Sequence, residues 1–175
     1  PLPLAMWSLG SSAAGLSMVL LGARQYLPAV VVQMGSFGLA IASFVLRILA
    51  LRADLGRPPA ALGGLACWLL PVACFQVVAL LVPAEWRSQI ARATLMTGTA
   101  LLAWQAHRAG RSARSRNGMV LAWVEGALAA VLALRLAGIA MGRMQPWPEQ
   151  LSWDVALLMS VTLVSALYGN LGYLG

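Results

Sequence analysis

The sequence predicts an all-α fold, a polytopic bundle of transmembrane helices with six spans, and three observations predict it. Hydrophobic residues fill 61% of the 175 positions and charged residues only 10%, whereas a soluble domain carries roughly 25% charged residues. No soluble core of this length hides so much apolar surface, so lipid must cover it. The apolar residues gather into six stretches, each near the roughly 20 residues that a bilayer core demands. The breaks between them are short and punctuated by Pro and Gly.

The first span, 4–22, ends at "ARQYLP" and carries Ser8, Gly15 and Gly22 at heptad spacing with Ser11 beside them. The second, 29–51, contains Gln33 and Arg47 and ends at "RADLGRPP". The third, 60–82, contains Gln76, Cys67, Cys74 and a mid-span proline, Pro71, expected to kink it. "PAEWRSQ" leads to the fourth, 90–106, and "HRAGRSARSRN" to the fifth, 118–141. The fifth holds Glu125, Arg135 and a row of small residues, Ala122, Gly126, Ala130, Gly138 and Gly142. "GRMQPWPEQ" precedes the sixth, 151–174. Such spans must be helices, because open strands leave unpaired backbone groups in lipid, and the alternating polarity of a membrane barrel is absent. Loops this short make each helix an antiparallel neighbour of the one before. Small-residue rows let helices approach closely, within the bundle or between two copies.

All 12 basic residues are arginine, and the net charge is +7. The arginines lie mainly in the loops between spans, which reads as a topology signal rather than a nucleic-acid surface. Arg108, Arg111, Arg114, Arg116, Arg47, Arg52 and Arg57 fall on one side. Arg24, Arg87, Arg92 and Arg143 fall on the other, diluted by Glu85, Glu149 and Asp154. Seven against four places the first side, and both chain ends, in the cytoplasm. Trp7, Trp104 and Trp123 then mark the inner boundary and Trp86, Trp147 and Trp153 the outer one, as an aromatic belt.

Catalytic chemistry finds little support. There is one histidine, His107, and no spacing for a metal or haem ligand set, so neither a metal nor another cofactor is expected. Cys67 and Cys74, about 10 Å apart along a helix, are beyond disulfide reach and are expected as small buried hydrophobes. No phosphate loop, HExxH, CxxC or nucleophile elbow occurs. The intramembrane charges stand out instead. Glu125 and Arg135 each cost on the order of 2–3.5 kcal/mol at mid-bilayer. They sit about 15 Å apart along one helix and cannot pair directly. Arg47 is an expected partner for Glu125, and Glu85, Glu149 or Asp154 for Arg135. These charges, with Gln33 and Gln76, are candidates for a polar ligand pocket or for structural pairs that fix helix order.

Certain motifs resemble a known group. The first span carries Trp7 and Gly10, a small-residue run, then Arg24, Leu27 and Pro28; the second leads to Gly56, Arg57 and Pro58; the last closes on Gly172, Tyr173 and Leu174. This resembles the multi-span N-terminal membrane region of bacterial diguanylate cyclases (GGDEF proteins) and of some sensor histidine kinases. Gln33 and Met34 depart from that pattern, which often has a Ser and a nearby Asn there, and no ligand-contacting residue carries over. The resemblance implies a sensor or input module of the bacterial inner membrane, working as a homodimer on an unidentified signal ligand. Its last helix would pass the signal, through Gly169, Gly172 and Tyr173, to a cytoplasmic effector domain C-terminal to this chain. It also implies a further helix before the first span, in keeping with a chain that opens on Pro1 rather than Met. The alternative expectation is a small polytopic transporter or channel-like protein using Glu125 and Arg135 along a polar path.

Overall fold

A computed structural model describes residues 2–57, 61–113 and 116–143. The described chain is helical: α1 (Leu2–Gly22), α2 (Ala29–Asp54), α3 (Ala61–Leu81), α4 (Ala84–Ala113) and α5 (Arg116–Ala140), with a 3-10 turn over Ala23–Gln25. It divides into two compact units, the first reaching Leu81 and the second starting at Val82. Three helices are both long and apolar enough to cross a bilayer: Leu2–Gly22, Val30–Asp54 and Arg116–Ala140. In α3 the described apolar stretch is Gly63–Phe75. The expected sixth span, 151–174, lies outside the described residues, as do Gly169, Gly172 and Tyr173.

The expected fourth span differs most from what is observed. The predicted flanking loops are largely helix, so α4 runs for 30 residues, about 45 Å at 1.5 Å per residue. That exceeds a hydrocarbon core of about 30 Å, and the polar ends around Gln89 and Arg111 account for the excess. Its central threonines also lower its hydropathy, but they turn their hydroxyls onto their own helix. Thr94 donates to the Ile90 carbonyl at 2.8 Å, Thr97 to Ala93 at 2.9 Å and Thr99 to Met96 at 2.9 Å. Such back-bonding satisfies a hydroxyl within its own helix.

Helix ends follow from local chemistry. Pro28, at φ −55° and ψ 135°, directs the chain into α2. α2 closes on Gly56 at φ +71°, with Gly56 N–H donating to the Ala53 carbonyl and Arg57 N–H to the Arg52 carbonyl. α5 closes in the same way on Gly142 at φ +68°, with bonds from Gly142 to Ile139 and from Arg143 to Gly138. Each is a Schellman cap, which needs a left-handed residue that glycine supplies without steric cost.

In the first unit, α1 and α2 pack antiparallel along a seam of small and polar residues. Ser17 donates to the Ser36 carbonyl at 2.8 Å, and Ser36 to the Val32 carbonyl at 2.5 Å. Gly10 sits where the two helices come closest: a Cβ there would lie 3.0 Å from Arg47 Cγ and 3.1 Å from the Ser43 carbonyl oxygen. The large apolar residues of α1, among them Leu9, Leu16 and Val19, point outward and are exposed. This is the arrangement of a lipid-facing helix, with small residues at the contact and large ones on the outside. α3 packs on α2 through stacked Phe37 and Phe75 rings, 4.0 Å between centroids, and through the Trp68 indole N–H donating to the Gly38 carbonyl at 2.9 Å. Cys67 and Cys74 are exposed on α3, which corrects the expectation that they are buried. A span packed along one side leaves its other positions open to the surroundings, and both thiols fall there.

In the second unit, α4 and α5 form an antiparallel hairpin. Its contact seam reads Thr99, Leu102, Ala106 and Ala109 on α4 and Leu121, Glu125, Leu128, Leu132 and Arg135 on α5, all buried. The alternating three- and four-residue steps are those of a helix pair meeting along one stripe. Near the turn the backbones almost touch: a Cβ on Gly118 would lie 2.8 Å from the Gly110 Cα, and one on Gly110 2.8 Å from the Met119 amide nitrogen.

The close approach at Gly10 sets a direct contrast with Gly15, which has nothing within 4 Å of a built Cβ. Gly10→Ala should lower stability by about 1–3 kcal/mol through overpacking, seen as a reduced thermal midpoint in detergent. Gly15→Ala should leave that midpoint within about 0.5 kcal/mol of the parent or slightly raise it.

Candidate functional site

Two clusters of buried polar groups emerge, one in each unit. In the first, Trp7, Gly10 and Ser11 share a face of α1 because they lie three and four residues apart. Arg47 enters that face from α2. Its guanidinium carbon lies 5.3 Å from the centroid of the Trp7 ring, and its Nη2 donates to Ser11 Oγ at 3.3 Å. Arg47 is 6% exposed and Trp7 2%, so the cation rests on an indole face sealed from outside. A desolvated cation–π contact is worth about 2 kcal/mol or more. Gly10 makes the arrangement possible, since the Arg47 stem crosses α1 where any side chain would stand in its way.

In the second unit Glu125, at 1% exposure, and Arg135, at 6%, both lie in the α4–α5 seam. The register set by Gly110 against Gly118 carries Arg92 to the level of Arg135, and the two guanidinium groups are near enough for their like charges to act on each other. This half of the hairpin thus places two arginines beside a seam that also carries Leu, Ala and Thr. Guanidinium groups keep their charge under all ordinary conditions. Arg47, Arg92 and Arg135 accordingly suit recognition, packing or charge stabilisation and not proton transfer; the carboxyl of Glu125 alone in these clusters can exchange a proton.

The sequence candidates separate as follows. Arg47 lies in the first unit and Glu125 in the second, and the contacts described for Arg47 come from its own unit. Gln33 is exposed on α2 and is not drawn into the α1–α2 seam. Gln76 belongs to α3, with its side chain outside the described residues. The acids expected beside Arg135, Glu85, Glu149 and Asp154, also fall outside the described side chains. His107 is exposed near the end of α4. Among the described residues no group of three or more His, Cys, Asp or Glu gathers in a way that could hold a metal ion.

Sequence reasoning placed Trp7 in the interfacial belt and missed its seat under Arg47. The signal was present: a Trp, a Gly and a Ser at i, i+3 and i+4, facing a span with a single arginine at matching depth in an antiparallel neighbour. Arg92, inside the predicted span 90–106, was counted only as a topology charge; its place opposite Arg135 follows from the hairpin register.

Trp7 and Trp123 test this assignment against each other, since Trp123 is 75% exposed. Trp7→Ala should cost about 3–5 kcal/mol, and Trp123→Ala well under 1 kcal/mol, as read by thermal unfolding of the two variants in the same detergent. No protein-family model, no curated protein and no solved structure matches this chain, so its reading rests on its own residues.

Proposed function

We propose that the chain is a membrane-embedded input module that senses a ligand or membrane state and passes the signal through helix packing to a cytoplasmic effector. In this reading it crosses the bacterial inner membrane six times as a homodimer. Its arginine-rich turns face the cytoplasm, and the segment 151–174 leads to a diguanylate cyclase or histidine kinase domain. The observation that carries the reading is the buried Arg47–Trp7–Ser11 contact across the α1–α2 seam. It includes Trp7 of the motif through which the sequence resembles such modules, and it couples two helices through a buried charge.

Magnitudes favour a switch at this place. A desolvated cation–π contact contributes about 2 kcal/mol, and a hydrogen bond from a charged donor about 1.5–3 kcal/mol. Together they approach the roughly 5.5 kcal/mol needed to carry a two-state equilibrium from 1:99 to 99:1. A signal acts on such a bundle only by binding one packing better than the other. A ligand that competes for the Arg47 guanidinium has that property.

A small transporter or channel-like protein is the second reading, favoured by Glu125, Arg92 and Arg135 sharing one seam. A chimera separates the two. With a diguanylate cyclase catalytic domain joined after Gly175, Arg47→Gln should change basal cyclic di-GMP output roughly ten-fold, the factor that about 1.4 kcal/mol of altered packing equilibrium produces. Glu125→Gln should change it in proportion to its own effect on packing. Unchanged output from both variants, with only a lowered thermal midpoint, would leave these residues a structural role and remove the sensor reading. Solute flux into proteoliposomes that Glu125→Gln abolishes would establish the transporter in its place.

A further inference from the structure

The end of the α4–α5 hairpin gathers features that the sensor reading does not use. From position 86 to position 124 the sequence contains no acidic residue, yet it places Arg108, Arg111, Arg114 and Arg116 within nine positions. The near contact of Gly110 with Gly118 folds this run back on itself, bringing the last turns of α4 beside the first turn of α5. Arg108, Arg111, Arg116 and His107 are exposed there, and Arg114 lies outside the described residues. Two large indoles stand just below. Trp104 on α4 is 52% exposed and Trp123 on α5 75% exposed. They lie six residues before Gly110 and five after Gly118, hence about 8–9 Å beneath the Gly110–Gly118 contact and at a common depth. The guanidinium carbon of Arg108 stands 5.0 Å from the centroid of the Trp104 ring.

We infer that this end of the hairpin is a binding surface for anionic phospholipid headgroups. The inference rests on the membrane reading above. The vertical order of groups matches the lipid: exposed apolar helix faces at acyl-chain depth, indoles at the boundary where amphipathic rings settle, and guanidinium groups at phosphate height. Guanidinium forks suit phosphate oxygens bidentately. The stack of Arg108 on Trp104 holds one such fork in place before the lipid arrives, so less side-chain freedom is lost on binding. A surface that only marked topology would need the positive charge but not the exposed, level pair of indoles or the stacking. With no carboxylate within the turn to neutralise these arginines, charge complementarity selects an anionic over a zwitterionic headgroup.

The full chain reconstituted in phosphatidylcholine nanodiscs with a varied fraction of phosphatidylglycerol provides the test. Brominated acyl chains on one lipid or the other quench nearby indoles, and a Trp104→Phe/Trp123→Phe variant identifies the signal from this end. Basic residues at a charged surface contribute roughly a five-fold preference each. The parent should therefore show at least a roughly ten-fold excess of phosphatidylglycerol over phosphatidylcholine near these indoles. Arg108→Gln/Arg111→Gln/Arg116→Gln, all at exposed positions, should abolish that excess, and the corresponding Lys triple variant should retain most of it. Equal quenching by both lipids in the parent, or an excess that survives in the Gln triple variant, would overturn the inference while leaving the bundle in its membrane. A chain that fails to float with phosphatidylcholine vesicles after an alkaline carbonate wash would overturn the membrane reading itself, and the inference with it.

Discussion

The bilayer interior offers no water, so a polar group on a helix that crosses it must find a partner in protein or lie at a helix end. That constraint sorts the residues of each helix. The backbone closes on itself along α1 to α5. The threonines of α4 turn inward onto the carbonyls one turn back. The serines of α1 and α2 bond across their seam. The charged side chains Arg47, Glu125 and Arg135 lie within seams and not on the outer faces. Leu9, Leu16, Val19 and Leu134 among others lie on the outside, where lipid would accept them at no cost. The distribution is consistent with a membrane protein, since it exposes residues that a soluble fold buries.

Association between such helices cannot draw on a hydrophobic difference, since lipid tails are as apolar as leucine. It depends on close approach and on polar contacts, and the two coincide here. Gly10 lets α1 meet α2 at the point where Arg47 crosses, and the Arg47 guanidinium then finds Trp7 and Ser11. Gly110 and Gly118 do the same for the hairpin of α4 and α5, whose register brings Arg92 level with Arg135. At Gly10 a charge that costs on the order of 2.5–3.5 kcal/mol to insert is retained where a glycine has opened the seam.

Much of the architecture was legible in residue patterns. Apolar run length located α1, α2, α3 and α5 to within about two residues, apart from the last turn of α2, which runs three residues further to Asp54. Gly56 and Gly142, read as loop punctuation, are the left-handed caps that stop α2 and α5. The ends of α4 were not legible, because the charge and polarity at 84–89 and 107–113, read as loop, do not end the helix. Arginine and serine sustain a helix as well as they would form a loop. The small-residue row chosen for α1, Ser8, Gly15 and Gly22, is exposed, while Gly10, Ser11 and Ser17 carry the contact. Heptad spacing alone does not say which of several small stripes faces a neighbour; the position of Arg47 on the next helix decides it. Glu125 and Arg135 stood out as costly charges, yet their placement on one seam with Arg92 needed the hairpin register.

The claim at the centre of this account is that large apolar residues face lipid while Trp7, Arg47 and Glu125 lie inside helix seams. Spin labels introduced singly at Leu9, Leu16 and Leu134, and at Ala122 and Ser43 as seam positions, measure this directly in reconstituted vesicles through collision with oxygen and with a water-soluble nickel chelate. The account predicts high oxygen and low nickel accessibility at the three leucine positions, and low accessibility to both at the two seam positions. Strong nickel accessibility at Leu9, Leu16 and Leu134 would place those faces in water and contradict it.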